Sequence, residues 1–236
     1  MRIMAHISWS KGFTKATHPS IRKISETMKR RRIDNFAAWR MRAKKEGLMK
    51  DSYPALVQDG DLAELIGVVL GDGHIGRFPR CDSLRITANG DNVGFVQRYA
   101  YLVDKVFDRK PAVARVKKSK AVTITIYERH ISKRLEIPHG SRHDLQYAVP
   151  TWIRRDTGHI CRFLRGLYEA EGNYNVHLPT YTHKLQFANT NQSLLRIVFT
   201  LVRKLGFHPH MSARQVQVSR KEEVQNLKNL IEFRRY

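Results

Sequence analysis

Two apolar stretches of this chain, "LAELIGVVLGDG" (62–73) and "CRFLRGLYEAEG" (161–172), end alike: each runs at helical spacing into an acid followed by a glycine. The two acids, Asp72 and Glu171, stand 99 residues apart. Gly67 and Gly71 are four apart in the first stretch, and Gly166 and Ala170 are four apart in the second. Residues at i and i+4 share a helix face, so each helix carries a narrow strip without bulk on which another backbone can approach closely. If the strips pack on one another, Asp72 and Glu171, each one position past the last small residue, arrive side by side. Two carboxylates there repel each other and meet the negative ends of two helix dipoles, an arrangement that calls for a counter-charge. A lone Asp-Gly ordinarily just ends a loop. Its duplication points instead to a divalent cation on oxygen ligands, which suits in-line displacement at a phosphodiester.

The surroundings repeat in the same order. A proline opens each approach, in "YPALVQDG" and in "VPTWIRRDTGH". An alternating run then stops at an asparagine, "SLRITANGDN" with Asn89 and "HKLQFANTNQ" with Asn189. An apolar helix with basic residues follows ("VGFVQRYAYLVDKVF", "SLLRIVFTLVRKLGF"), then two strands ("AVARVKKSKAVTITIY", "HMSARQVQVS"), then a closing helix ("ERHISKRLE", "KEEVQNLKNLIEF"). The expected fold class is therefore α+β, a pseudo-twofold pair of αββαββα repeats with antiparallel sheets. The expected divisions are a basic helical extension over 1–52, a first repeat over 53–137, a linker over 138–149, within a stretch (136–150) whose two prolines and glycine suit one, and a second repeat over 150–236.

Charge narrows the partner. The chain carries 43 Lys+Arg against 21 Asp+Glu, a net +22, which favours a polyanion because basic groups release counterions from phosphates. No stretch approaches the length of a membrane span, the first residues lack a signal peptide's apolar block, and Cys81 and Cys161 have no metal-ligand spacing, so an intracellular location is expected. Residues 1–50 hold 14 Lys+Arg and 3 Asp+Glu, half of the net charge. There "THPSIRKISETMKRRR" spaces Ile21, Ile24 and Met28 on one helix face after Ser20 as N-cap, among Arg22, Lys23, Lys29, Arg30, Arg31 and Arg32. A second basic helix is expected from Asp34 to a stop at Gly47. Phe13, Phe36 and Trp39 favour a small element that folds on DNA over a solvated tail.

The strands alternate as a sheet with one packed and one open face. Ser83, Arg85, Thr87 and Asn89 alternate with apolar residues, as do Thr123 and Thr125, and Gln215 and Gln217. With Arg115, Lys117, Lys118, Lys120, Lys184, Gln186 and Arg214, they form the expected DNA-binding set, able to read base edges or hold phosphates. His139 and His143, and His208 and His210, lack a second ligand pair for zinc and read as surface residues; His74 reads as a residue approaching nucleic acid.

On the segments "LIGVVLGDG" (65–73) and "LRGLYEAEG" (164–172), the chain resembles the LAGLIDADG homing endonucleases of the single-chain, two-repeat kind, over about residues 53–236. The resemblance implies a basic saddle of two sheets over the DNA major groove, with metals on Asp72 and Glu171 and the backbone of Gly71 and Ala170. It also implies site-specific double-strand cleavage leaving short 3′ overhangs by a monomer. Mg2+ is the expected cofactor, Mn2+ substituting and Ca2+ supporting binding without cleavage. Leu70 stands where the signature usually has its first acid, and Glu171 is longer than the usual Asp by one methylene, so two metal positions would be unequal. Asn89 and Asn189 are the amide candidates for orienting water, with Arg129 in the first half and Arg220 or Lys221 in the second as basic candidates. "GFTKATHPSIRKISETMK" resembles the modular DNA-binding repeats appended to such nucleases. The other reading is a nucleic-acid-binding protein of the same fold, an intron RNA maturase or a transcription regulator, that does not cut; possible partners are then the chain's own intron RNA as well as double-stranded DNA.

Overall fold

The computed structural model describes residues 9–47, 50, 52–141, 143 and 145–236, so parts of the expected extension (1–8, 48, 49, 51) and linker (142, 144) lie outside the described residues. The chain divides into two compact units that meet between Tyr53 and Pro54.

Among the described residues the first unit holds two helices, α1 (Pro19–Arg30) and α2 (Ala37–Lys45). The expected cap, Ser20, is instead capped: His18 Nδ1 accepts its N–H at 3.3 Å, and Pro19 takes the first turn, where a missing N–H costs nothing. Phe13 and Trp9 pack against the His18 ring, with centroids 4.7 and 5.9 Å away. Asp34 Oδ1 accepts the Phe36 N–H at 3.1 Å just before α2, and Gly47 follows the helix at φ +71°. Ala43 is buried, while Phe36, Trp39 and Met41 are exposed.

In the second unit the elements run α3 (Gly60–Asp72), β1 (Gly73–Arg77), β2 (Asp82–Asn89), α4 (Val93–Phe107), β3 (Ala112–Arg115), β4 (Ala121–Glu128) and α5 (Ile131–Leu135). The order recurs as α6 (Thr151–Arg155), α7 (Thr157–Glu171), β5 (Gly172–His177), β6 (Thr182–Ala188), α8 (Gln192–Lys204), β7 (His210–Met211), β8 (Gln215–Val218) and α9 (Lys221–Leu230). Two antiparallel four-stranded sheets result, ordered β1-β2-β4-β3 and β5-β6-β8-β7. The expected αββαββα repeat is thus present twice. The second approach breaks into α6 and α7 because Asp156 is extended and caps α7, accepting the His159 N–H at 2.7 Å.

The core lies between the inner sheet faces and the helices, and α3 runs through its middle, every residue from 62 to 70 buried. Glu64, wholly buried among them, accepts from Arg98 and Arg162 and lies 3.5 Å from Arg165 Nε. It lies eight residues before Asp72, about 12 Å along the helix, so this ionic cluster ties the helix starts together and is separate from the acids at their ends. The linker is bound to both repeats: Gly140 N–H donates to Ile75 O at 3.1 Å, and Tyr147 N–H to Ser193 Oγ at 3.1 Å.

Candidate metal centre and nucleic-acid interface

The small residues do what their spacing predicts. A Cβ added to Gly166 would stand 2.1 Å from Glu64 O and 2.6 Å from Val68 N, and one on Gly67 would stand 2.3 Å from Phe163 O. Helices α3 and α7 therefore touch backbone to backbone, a separation only glycine permits. At the end of the seam a Cβ on Gly71 would lie 2.4 Å from Ala170 Cβ and 3.3 Å from Glu171 Cγ. That contact sets the two acids beside each other where the helices stop and the strands begin.

The electrostatics follow. Burial, reinforced by the charge of Glu171, pushes the Asp72 carboxyl up to about 7 from the ordinary 3.8. Burial also raises Glu171. The Asn189 amide reaches Glu171 Oε1 at 3.5 Å, while its own Oδ1 accepts the Asn191 N–H at 2.8 Å, which fixes the side chain. Asn89 makes the same turn, its Oδ1 accepting from Asp91 N at 3.1 Å, but is exposed.

A divalent cation fits this donor set. The two carboxylates and the carbonyls of Gly71 and Ala170, in the last helical turns where carbonyls lack intrahelical partners, are all hard oxygens. Among the described residues no group of three or more His, Cys, Asp or Glu forms an alternative centre. The histidines placed on the surface have other uses: His139 Nε2 meets Asp82 Oδ1 at 2.8 Å, and His208 Nδ1 meets Glu223 at 2.8 Å.

One consequence can be measured on the metal-free protein. Because the folded Asp72 holds its proton up to about pH 7 and the unfolded one releases it near 3.8, the folded state binds more protons in between, and stability falls as pH rises from about 4 to 7. Glu171 acts in the same direction. With the open side of the site screened by water, we expect Asp72→Asn to stabilise the EDTA-treated protein at pH 8 by about 2 kcal/mol, about 4–8 °C in melting temperature. At pH 4 the gain disappears, as paired thermal melts will record.

The strand register places the remaining residues. Gly73 pairs with Ile86 and Thr87 pairs with Thr123, so Asp72 stands level with the row of Thr87, Thr123 and Ala114. One row outward His74, Arg85 and Thr125 are neighbours, and both His74 and Arg85 are exposed. In the second sheet Gln186 lies between Asn175 and Gln217, bonded to them at 3.3 and 3.2 Å, and Lys184 pairs with Asn175 across β5. Gln215 is level with Glu171, since Gly172 pairs with Phe187 and Phe187 with Val216. Ser83 departs from the expected open face: it is buried between its strand partners Gly76 and Tyr127, where the Phe78 and Tyr127 rings meet with centroids 5.8 Å apart; Asp82, on the opposite face, is covered by α5, whose Ser132 N–H donates to it at 3.1 Å.

Arg129 and Lys221 are not brought to the acids. Each lies six residues past the row level with its own repeat's acid, about 20 Å for extended chain. Arg220, beside Lys221, is held by Glu223 at 3.0 Å. The basic groups at the acids' end of the sheets are in the hairpin turns. Lys120 O accepts from Gly90 N at 2.8 Å, and Arg214 O accepts from Asn189 N at 3.0 Å, so both turns sit against the strand ends that carry Asn89 and Asn189. Arg115, Lys117 and Lys118 belong to the same end of the first sheet, where Lys120 Nζ also meets Asp91 at 2.9 Å. The signal for this was present in "KKSK" between two strands, which marks a basic turn.

Sequence reasoning also missed the fastening of α7. Glu169, the repeat-related partner of buried Leu70, is itself buried and accepts from the Arg234 N–H and the Tyr236 hydroxyl. Burial raises its carboxyl pKa and these bonds hold it back. The Tyr236 ring lies on Gly94, where an added Cβ would be 2.5 Å from it. The 232–236 segment thus joins α7 of the second repeat to α4 of the first, and Arg234 also donates to Gly172 O at 3.4 Å, next to Glu171. Tyr236→Phe leaves the buried carboxylate one donor short and should cost about 2 kcal/mol, read as a lower midpoint in urea with unchanged slope.

No family model and no curated protein matches the sequence. Solved structures do. The chain is similar to mesophilic variants of the homing endonuclease I-DmoI, at 18% identity and a TM-score of 0.51 over 73% of this chain and 94% of that one. I-DmoI in complex with DNA and Mn gives the same identity and score over 96% of that chain. Full-length WhiA from Thermatoga maritima is similar at 15% identity and a TM-score of 0.52, over 78% of this chain and 59% of that one. The chain therefore has the LAGLIDADG homing-endonuclease fold. Among the described residues no helix is long and apolar enough to cross a membrane.

Proposed function

We propose that this protein is a metal-dependent, site-specific double-strand DNA endonuclease of the LAGLIDADG homing type, hydrolysing phosphodiesters to leave short 3′ overhangs. The observation that carries this reading is the meeting of Asp72 and Glu171 at the end of a glycine seam, with the Asp72 carboxyl pushed up to about 7. A protein that only binds DNA gains nothing from two carboxylates beside phosphates. Mg2+ is the proposed cofactor, with Mn2+ substituting and Ca2+ supporting binding alone; structures of I-DmoI with DNA and Mn and with DNA and Ca support divalent ions on this fold. When bound, the cation supplies charge for the developing oxyanion and acidity for water.

The chain's own residues do the rest. Asp72 and Glu171, with the carbonyls of Gly71 and Ala170, hold the cation over the scissile backbone. Asn189, fixed beside Glu171, orients water there. Lys120 and Arg214, in turns at the acids' end of each sheet, take the basic role that sequence assigned to Arg129 and Lys221. Arg85, Thr87, Thr123, Thr125, Lys184, Gln186, Gln215 and Gln217 meet the major groove from the open sheet faces. Arg22, Lys23 and residues 29–32 add phosphate contacts outside that footprint. Each repeat gives one acid, so one chain completes the site and a monomer suffices, acting inside the cell wherever the host DNA lies.

The test is incubation of the full chain with Mg2+ and supercoiled plasmid bearing the intron-less host-gene sequence. Linear product with 3′ overhangs is expected; retention of supercoiled plasmid by bound protein, without cutting, would contradict the reading.

A further inference from the structure

The open face of the first sheet changes character two rows out from the acid. Level with Asp72 it is polar, with Thr87 beside Thr123, and in the next row Arg85 stands between His74 and Thr125. Beyond them Gly76, Ser83 and Tyr127 are neighbours, a row with neither an amide nor a charged side chain. The Phe78 ring, from the turn after β1, meets the Tyr127 ring edge to face at 5.8 Å, and a Cβ on Gly76 would lie 3.8 Å from it. Ser83 is buried, yet the two rings remain exposed, Phe78 by 49% and Tyr127 by 48%.

The pair does not serve the core. Tyr127 alternates with buried Ile126 and Glu128, and the core lies against the opposite face, where Ile75, Leu84 and Ile126 stand wholly covered. Nor is it a by-product of the repeat. The corresponding row of the second sheet has Asn175 opposite Lys184, and His177, 99 residues on from Phe78, is bonded to Thr180 at 2.8 Å. A sheet face that lies in the major groove finds one apolar group on the base edges there, the C5-methyl of thymine; the other groups are donors and acceptors. We propose that Phe78 and Tyr127 read a thymine methyl in the half of the target under the first repeat. This rests on the proposed docking of the open faces on duplex DNA and names what the first repeat recognises at its outer end. Tyr127 lies four residues past Thr123, which is level with Asp72, so the methyl stands about 13 Å from the acids' level, about four base pairs. At the same distance the second repeat reads through Asn175 and Lys184, by hydrogen bonds. The target is therefore asymmetric under a pseudo-twofold protein.

Duplexes are recovered from a randomised pool on the full chain in Ca2+, and each thymine is then replaced in turn by deoxyuridine, which removes the methyl and keeps every hydrogen-bonding group. Replacement about four base pairs from the centre of the footprint, on one side only, should weaken binding by about fivefold, the worth of one methyl group. Phe78→Ala and Tyr127→Ala should each bind the thymine duplex about as weakly and shrink its advantage over deoxyuridine, with thermal melts confirming the fold. Absence of thymine at that distance, equal affinity for thymine and deoxyuridine there, or discrimination undiminished in both variants would overturn the assignment while leaving DNA binding intact. Failure to retain any duplex would overturn the docking of the sheets and this assignment with it. The assay contains no cleavage step, so its outcome is independent of whether the protein cuts.

Discussion

Asp72→Asn and Glu171→Gln should each lower DNA cleavage by about a thousandfold or more while leaving DNA affinity equal to or tighter than that of the unaltered chain. The two effects have one origin. Each variant keeps its side chain's shape but removes a negative charge, and with it a proposed ligand of the cation, worth several kcal/mol of transition-state charge stabilisation. Binding rests instead on the basic sheets and turns, and a carboxylate beside phosphates opposes it. Gel shifts in Ca2+ and cleavage time courses in Mg2+ on the same preparations separate the two. A variant that loses both in parallel would point to misfolding rather than chemistry. Glu171→Gln should show the larger accumulation of nicked circles if the longer acid makes the two positions unequal, since Asn189 contacts Glu171 and the repeat-related Asn89 is exposed.

Gly166→Ala should be the most destabilising single methyl in the chain's second unit. Its Cβ would sit 2.1 Å from the Glu64 carbonyl oxygen, and the obstacle is backbone of α3, which cannot rotate away as a side chain could. Separating α3 from α7 opens the middle of the core, where Leu65, Val69, Phe163 and Leu167 are all wholly buried. A loss of about 4 kcal/mol or more follows, about 8–16 °C in melting temperature, against the modest gain that Gly→Ala gives in an ordinary helix. Gly71→Ala differs in kind. Its Cβ would meet the Ala170 methyl at 2.4 Å, at the very end of the seam, so the helices can part locally there at smaller cost to stability while the acids separate. Activity should fall further than stability in that variant. Circular dichroism melts, read beside cleavage rates, distinguish the two glycines.

These expectations show which features local sequence carries. The glycine seam was legible because small residues four apart leave few packings, and the acids one residue later inherit their position from it. The repeat was legible because apolar alternation in "LRITAN" and "KLQFAN" switches to helical spacing in the same order twice. Positions that depend on strand register were not legible. Arg129 looks like a junction residue beside the site, yet antiparallel pairing of β4 with β2 carries it to the opposite end of the sheet, and Lys221 follows the same rule. Ser83 fits the alternation but lies beside the Phe78 and Tyr127 rings, which only strand pairing brings together. The bonds from Arg234 and Tyr236 to Glu169 span more than sixty residues and leave no local mark. Likewise the cap of α1 went to His18, because Pro19 moved the helix start back by two residues.

The most direct test of the shared acid site is the affinity for Mn2+ of the full chain on duplex DNA, followed by electron paramagnetic resonance, for the unaltered protein and for each acid variant. A shared centre predicts that Asp72→Asn and Glu171→Gln each weaken Mn2+ binding by about tenfold or more, one pKa unit's worth of free energy or above. Unchanged Mn2+ affinity in both variants would contradict it, since the cation would then be held elsewhere and the carboxylates at the end of the glycine seam would have no part in the chemistry.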